Sequence, residues 1–238
     1  MRSLHVTLFK YGFVPSYFMK IANYALWPSY LGASCVLAYG LYIGLFTVPA
    51  DTTQGDVFRI IYIHVPLAAL SLSLYIATAI GCTLDQMLHL KMASLYAFAC
   101  ACLGLVVTIL TIITGMIWAK PTWGTWWVWD ARLTSELVLA MLYCGFLIAR
   151  LNIKPTRLAR EVSTYIAWIG TMNIPIVHYS VQWWFTLHQG PSVLQFAKPK
   201  MPWIMLYPLI ISGLGFSLLC FVIIMHSVKV LLSTKVAE

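Results

Sequence analysis

The sequence predicts an all-α integral membrane protein: a bundle of six transmembrane helices with both termini in the cytoplasm. A tryptophan-rich segment lies at the outer interface between spans 3 and 4. Three observations predict this. The chain is 61% hydrophobic and 9% charged, with a mean hydropathy of +0.84, whereas an ordinary soluble domain is about 25% charged. Its apolar residues collect into runs near the roughly 20 residues that a helix needs to cross a bilayer core. Its Lys and Arg fall unevenly on the segments between those runs. No polar stretch approaches the length of a soluble domain, so residues 1–238 read as a single polytopic membrane domain. The net charge of +8 then reports topology and contact with anionic membrane lipid, with no nucleic acid implied.

The runs place spans near 27–46, 65–84, 92–119, 133–150, 162–184 and 203–226. The first is longer than the apolar core of a signal peptide and is expected to remain as an uncleaved anchor, although "VPA" at Val48 to Ala50 resembles a cleavage site. The fourth is short, because only 137–149 is free of charge, about 20 Å of helix. To cross, it must carry Glu136, and with it Arg132, at or just inside the interface. Ionisable groups there are costly and are functional candidates. Snorkelling into headgroups is the plainer reading of Arg132 taken alone.

Orientation follows from the basic residues. Arg2, Lys10, Lys20, Lys91, Arg150, Lys154, Arg157, Arg160, Lys229 and Lys235 fall on one side, and Arg59, Lys120, Arg132, Lys198 and Lys200 on the other. Ten against five puts both termini inside. Three loops then lie outside, at 47–64, 119–136 and 185–202, and they are the three longest between spans. The six cysteines all sit in apolar runs, with no CxxC and no CxxCH. Thiol redox chemistry and covalent c-type haem on this chain are therefore not indicated.

The second outer loop reads "KPTWGTWWVWDARLTSE", and half of the chain's ten tryptophans lie between Trp118 and Trp129. As a helix, this segment would carry Trp123, Trp126, Trp127 and Asp130 on one face. Pro121 would suit its first turn, and Gly124 would admit a close backbone or a flat ligand. Two readings stand side by side: an aromatic belt at headgroup depth, or a platform for a bound ligand.

The histidines bear on that choice. His5 and His89 fall in cytoplasmic segments and His226 at the cytoplasmic end of a span, while His178 lies within the fifth span, where a hydrogen-bonded core role is expected. His64, in "IYIHVP", and His188, in "FTLHQGP", both fall outside at membrane level, on loops either side of the tryptophans. Two imidazoles beside a flat aromatic wall point to a planar ligand with a metal at its centre, and haem fits. Arg132 is placed to meet a propionate. Zinc fits less well, since no third ligand is evident.

"WGTWWVWDARLTSE" resembles the WWD motif of the haem-handling proteins of cytochrome c maturation, most closely that of component C. The resemblance runs along the whole chain, through "IHVP" and "WWFTLHQGP" in the flanking loops. It implies a protein that binds haem b at the periplasmic face of the bacterial inner membrane and delivers it to a periplasmic haem chaperone, component E. The small one-span component D and the ABC-type components A and B are its implied partners. His64 and His188 match the family's axial iron ligands. Trp123, Gly124, Trp126, Trp127, Trp129 and Asp130 match its haem platform, with Arg132 beside it. The chain is expected to be a transport and delivery protein, not an enzyme. The larger synthase relatives have more spans and additional histidines, which this chain lacks. Two further classes remain open: a cytochrome b-like membrane oxidoreductase, which needs histidine pairs stacked within spans, and a haem-free assembly or permease subunit.

Overall fold

The computed structural model describes residues 14–188 and 201–236, and among these the chain is helical apart from short connections and one isolated bridge, Asp51 with Gly55. Helix α1 spans Pro15–Tyr42 and runs into a π-turn at Ile43–Thr47. A 3-10 turn at Asp56–Ile60 leads into α2, Ile61–Leu88. Then follow α3 (Lys91–Trp123), α4 (Ala131–Asn152), α5 (Thr156–Thr171), α6 (Asn173–Trp183) and α7 (Trp203–Val236). Among the described residues, five stretches are long and apolar enough to cross a membrane: Pro15–Thr47, Asp56–Leu88, Lys91–Trp123, Ala131–Asn152 and Trp203–Thr234.

The expected fifth span, 162–184, is the exception. It is divided between α5 and α6, with a turn at Met172. Pro175 has no N–H to return to the carbonyl one turn earlier, which frees the backbone at that point. Asn173 secures the break by donating Nδ2–H to Ser135 O on α4 at 2.9 Å. A helix interrupted at membrane depth is tolerated where neighbouring groups satisfy its backbone.

Packing puts the site at one end of the bundle. α2 and α3 are joined by the tight turn at His89 and Leu90, where His89 takes φ +53°, and they pack along their lengths. α1 pairs with α7, and α4 lies against α3, α5 and α6. The centre is crossed by hydrogen bonds that leave few buried polar groups unpaired. Tyr143 OH donates to Ser71 O at 2.8 Å, Ser71 Oγ donates to Glu136 Oε1 at 2.8 Å, and Tyr75 OH donates to Ile166 O at 3.1 Å. Hydrogen bonds of this kind hold helices in register where lipid supplies no competing water. Glu136 is thus built into the helix contact, only 6% exposed, rather than lying in the headgroups.

Candidate functional site

Trp118 and Trp123 lie at the end of α3, and Trp126, Trp127 and Trp129 in the connection to α4; the two ends of that connection explain its shape. α3 continues through Pro121 to Trp123 and stops at Gly124, whose φ of +77° is left-handed, with its N–H still bonded to Lys120 O at 3.0 Å. Glycine enters that conformation without a Cβ penalty. α4 begins at Asp130, whose carboxylate accepts the Leu133 N–H at 2.8 Å and so satisfies one of the unpaired donors of the first turn.

Residues 124–130 between these caps form no helix. The expected interfacial helix is therefore replaced by a bent loop, and Trp123, Trp126, Trp127 and Asp130 do not share a helical face. The loop turns its tryptophans two ways. Trp123 and Trp127 are half-buried, whereas Trp126 and Trp129 are 51% and 77% exposed.

His64 belongs to the first turn of α2, inside the helix rather than in the loop before it, and His188 lies shortly beyond α6. Their ring centres are 6.3 Å apart, with the planes inclined by 37°. Trp118 and Trp123 brace His188 at centroid distances of 5.8 and 6.3 Å, and meet each other edge to face at 5.0 Å. Trp118 is itself held by Gln54, whose Oε1 accepts the indole N–H at 3.0 Å. His64 is held from α3, with Nδ1 3.0 Å from Thr114 Oγ1.

Two cavities meet on this histidine pair. The larger, about 520 Å³, opens among α2, α6 and α7, with Gln54, His178 and Met205 in its walls. The smaller, about 40 Å³, lies between α2, α3 and α4, against Trp123, Trp127 and Glu136. His64, Trp118, Arg132 and His188 border both. Arg132 reaches across to α6, where Nη1 donates to Val177 O at 2.5 Å. Beside it, Trp127 Nε1 and Asp130 Oδ2 are buried without a hydrogen-bond partner among the described residues. A buried donor and a buried acceptor left open cost about 1–3 kcal/mol each, and such groups call for a ligand or an ordered water.

Of the residues singled out from sequence, His64, His188, Trp123, Trp127 and Arg132 come together around the cavities. Asp130 adjoins them as a helix cap. Gly124 is the bend, and Trp126 and Trp129 face away. Gln189, Gly190 and Pro191 of "HQGP" lie outside the described residues, as does His5. His178 departs from its expected core role, because it lines the larger cavity with Tyr179 edge-on at 4.6 Å. Sequence reasoning misses Gln54, Thr114 and Gly115, and leaves Trp118 outside its site. A signal was present: Thr111, Gly115 and Trp118 follow an i, i+4, i+7 spacing along an otherwise apolar helix, and all three line the smaller cavity.

The family model for heme exporter protein C matches residues 8–238, a range that contains both histidines and every tryptophan of the loop. The chain belongs to that family. Heme exporter protein C of Escherichia coli (strain K12) is 46% identical over 160 residues, 67% of this chain and 65% of that protein, so the match spans just under two thirds of that relative's length. Heme exporter protein C of Haemophilus influenzae is 41% identical over 181 residues, 76% of this chain and 74% of that protein. A putative cytochrome c biosynthesis ccmC-like mitochondrial protein of Marchantia polymorpha is 42% identical over 159 residues, 67% of each chain. Membership of the heme exporter protein C family fits the shape found here, an apolar helical bundle with five stretches, among the described residues, long and apolar enough to cross a membrane.

Proposed function

We propose that this protein binds haem b between His64 and His188 at the periplasmic face of the inner membrane and delivers it to the periplasmic haem chaperone of cytochrome c maturation, component E. Components A, B and D are its partners in that complex, and the chain acts as a transport and delivery component. Haem is its cargo. The 6.3 Å between the two imidazole centres carries the reading. Two metal–nitrogen bonds of about 2 Å, with each ring centre about 1 Å behind its nitrogen, sum to about 6 Å. A bare ion would find too few donors, because no group of three or more His, Cys, Asp or Glu suited to a metal occurs among the described residues. A porphyrin brings four nitrogens of its own and needs only the axial pair.

The surroundings fit the same cargo. A porphyrin is flat and apolar with two anionic propionates. Indole edges and a largely apolar cavity suit its faces, and Arg132 suits a carboxylate. The unpaired Trp127 N–H is a further donor at the cavity's edge. When bound, haem supplies the iron that the imidazoles ligate and the vinyl edge that a chaperone takes up. The protein's own side chains orient it: Trp118 and Trp123 fix the His188 ring, and α2 and α3 fix His64.

The test is spectroscopic. His64→Ala and His188→Ala should each change the spectrum of bound haem, and added imidazole should restore it in part. If both variants keep the wild-type spectrum and haem content, the ligand assignment is wrong. The proposed topology has its own check. A cysteine at Thr125 should react with an impermeant thiol reagent from the periplasmic side, while one at Thr156 should not. The opposite pattern places the tryptophans in the cytoplasm and ends the delivery reading.

A further inference from the structure

The contact between His64 and Thr114 bears on which nitrogen of the ring is available. Thr114 Oγ1 lies 3.0 Å from His64 Nδ1, 2.8 Å from Leu110 O and 3.1 Å from Thr111 O. A hydroxyl has one hydrogen and two lone pairs, while a carbonyl oxygen only accepts. Two earlier threonines of α3 make the same bond to the carbonyl one turn back: Thr108 to Gly104 O at 2.7 Å and Thr111 to Val107 O at 2.9 Å. With its hydrogen given to Leu110 O in the same way, Thr114 meets His64 only as an acceptor. Nδ1 then carries the ring proton, and Nε2 keeps a free lone pair.

Gly115, next in sequence, makes room for the ring so held. A Cβ there would stand 3.2 Å from His64 Cε1 and 3.8 Å from Nδ1, closer than an ordinary contact at the first of these atoms. α3 therefore offers the imidazole a slot with an acceptor on one side and a bare backbone on the other.

We propose that Thr114 is a positioning residue for haem: it selects the Nδ1–H tautomer of His64 and leaves Nε2 as the ligating atom. The inference rests on the reading of His64 as an iron ligand. Ligating histidines generally donate their other N–H to a fixed acceptor, which sets the ring's orientation and makes it a stronger electron donor. Here the side-chain acceptor is the Thr114 hydroxyl on the neighbouring helix, beside the Thr111 backbone carbonyl, which also meets the ring and remains in every Thr114 variant.

The experiment uses the purified full chain loaded with haem b, comparing Thr114→Val, which keeps the volume and removes the acceptor, with Thr114→Ser, which keeps the acceptor. Thr114→Val should weaken haem binding about tenfold, the lower end of the loss seen when such partners are removed. It should also raise the midpoint potential of the bound haem, since a less electron-rich imidazole stabilises ferric iron less. Thr114→Ser should stay close to wild type in both. A packing role alone predicts no change in potential from an isosteric valine. Should Thr114→Val fail to accumulate, Thr114→Ala carries the same prediction, alanine being favourable in helices. If the acceptor-less variants match wild type in affinity and potential while His64→Ala still alters the spectrum, Thr114 has no such role. If His64→Ala leaves the spectrum unaltered, the ligand reading beneath the inference falls instead.

Discussion

Trp118, Trp123 and Trp127 turn inward, while Trp126 and Trp129 turn outward, although all five lie within one short stretch of chain. The inward three border the cavity beside the histidines. The outward two are exposed, Trp129 edge-on against Trp127 at 5.5 Å and Trp126 beneath Lys120 Nζ at 6.0 Å from its ring centre. Composition cannot separate these sets, since each residue is an indole near a membrane interface. Backbone does. A left-handed glycine and an aspartate cap break what would otherwise be one helix, so neighbouring residues face opposite ways. The inner wall suits holding a flat ligand, and the outer rim suits meeting lipid or a partner that comes to collect it.

That contrast can be broken most forcefully at the wall. Changing Trp118 and Trp123 together to alanine removes both braces from His188. At about 0.5–1.5 kcal/mol per aromatic contact beyond area burial, haem affinity should fall roughly tenfold or more, read by haem titration of the purified protein. Wild-type affinity in the double variant would mean that these rings do not hold the ligand.

The rim pair should behave in the opposite sense. Trp126→Ala with Trp129→Ala should leave haem content and spectrum nearly unchanged yet reduce covalent loading of the chaperone about tenfold. Orientation of reacting groups supplies about 7–11 kcal/mol of a bond-forming barrier, and a small misplacement forfeits part of it. Normal loading by the rim variant would reduce Trp126 and Trp129 to a membrane belt.

Smaller effects test the bend that divides the two sets. Gly124→Ala places a Cβ at a φ of +77° and should cost about 1–2 kcal/mol, seen as a lower Tm. Asp130→Ala removes the cap on α4 and should cost about 1 kcal/mol, while Asp130→Asn, which keeps an accepting oxygen, should cost only a fraction of that. Equal losses for alanine and asparagine would show that the cap is not what anchors the rim.

Much of this was legible in the sequence, and the failures share a cause. Apolar runs located the bundle because helix length is set by bilayer thickness and needs no tertiary information. His64, His188 and Arg132 stood out as polar groups at membrane depth, and the structure gathers them. The Trp123–Asp130 face was misjudged because helical periodicity fits almost any four residues at that spacing. The same sequence contains Gly124 and Asp130, which are good terminators when read as caps. The break at Met172 was signalled by Pro175 but hidden within an apolar run. Gln54 and Thr114 could not be found by pattern, because each acts across a gap of 50 residues or more in sequence that only the packing of α2, and of the loop ahead of it, against α3 closes.

Whether one haem is held here by two imidazoles is read from the absorption and electron paramagnetic resonance spectra of the purified full chain. The expected result is a six-coordinate, low-spin haem b that becomes five-coordinate or is lost when either His64 or His188 is replaced by alanine. A protein that binds no haem, or one whose low-spin signal survives both substitutions, would contradict it.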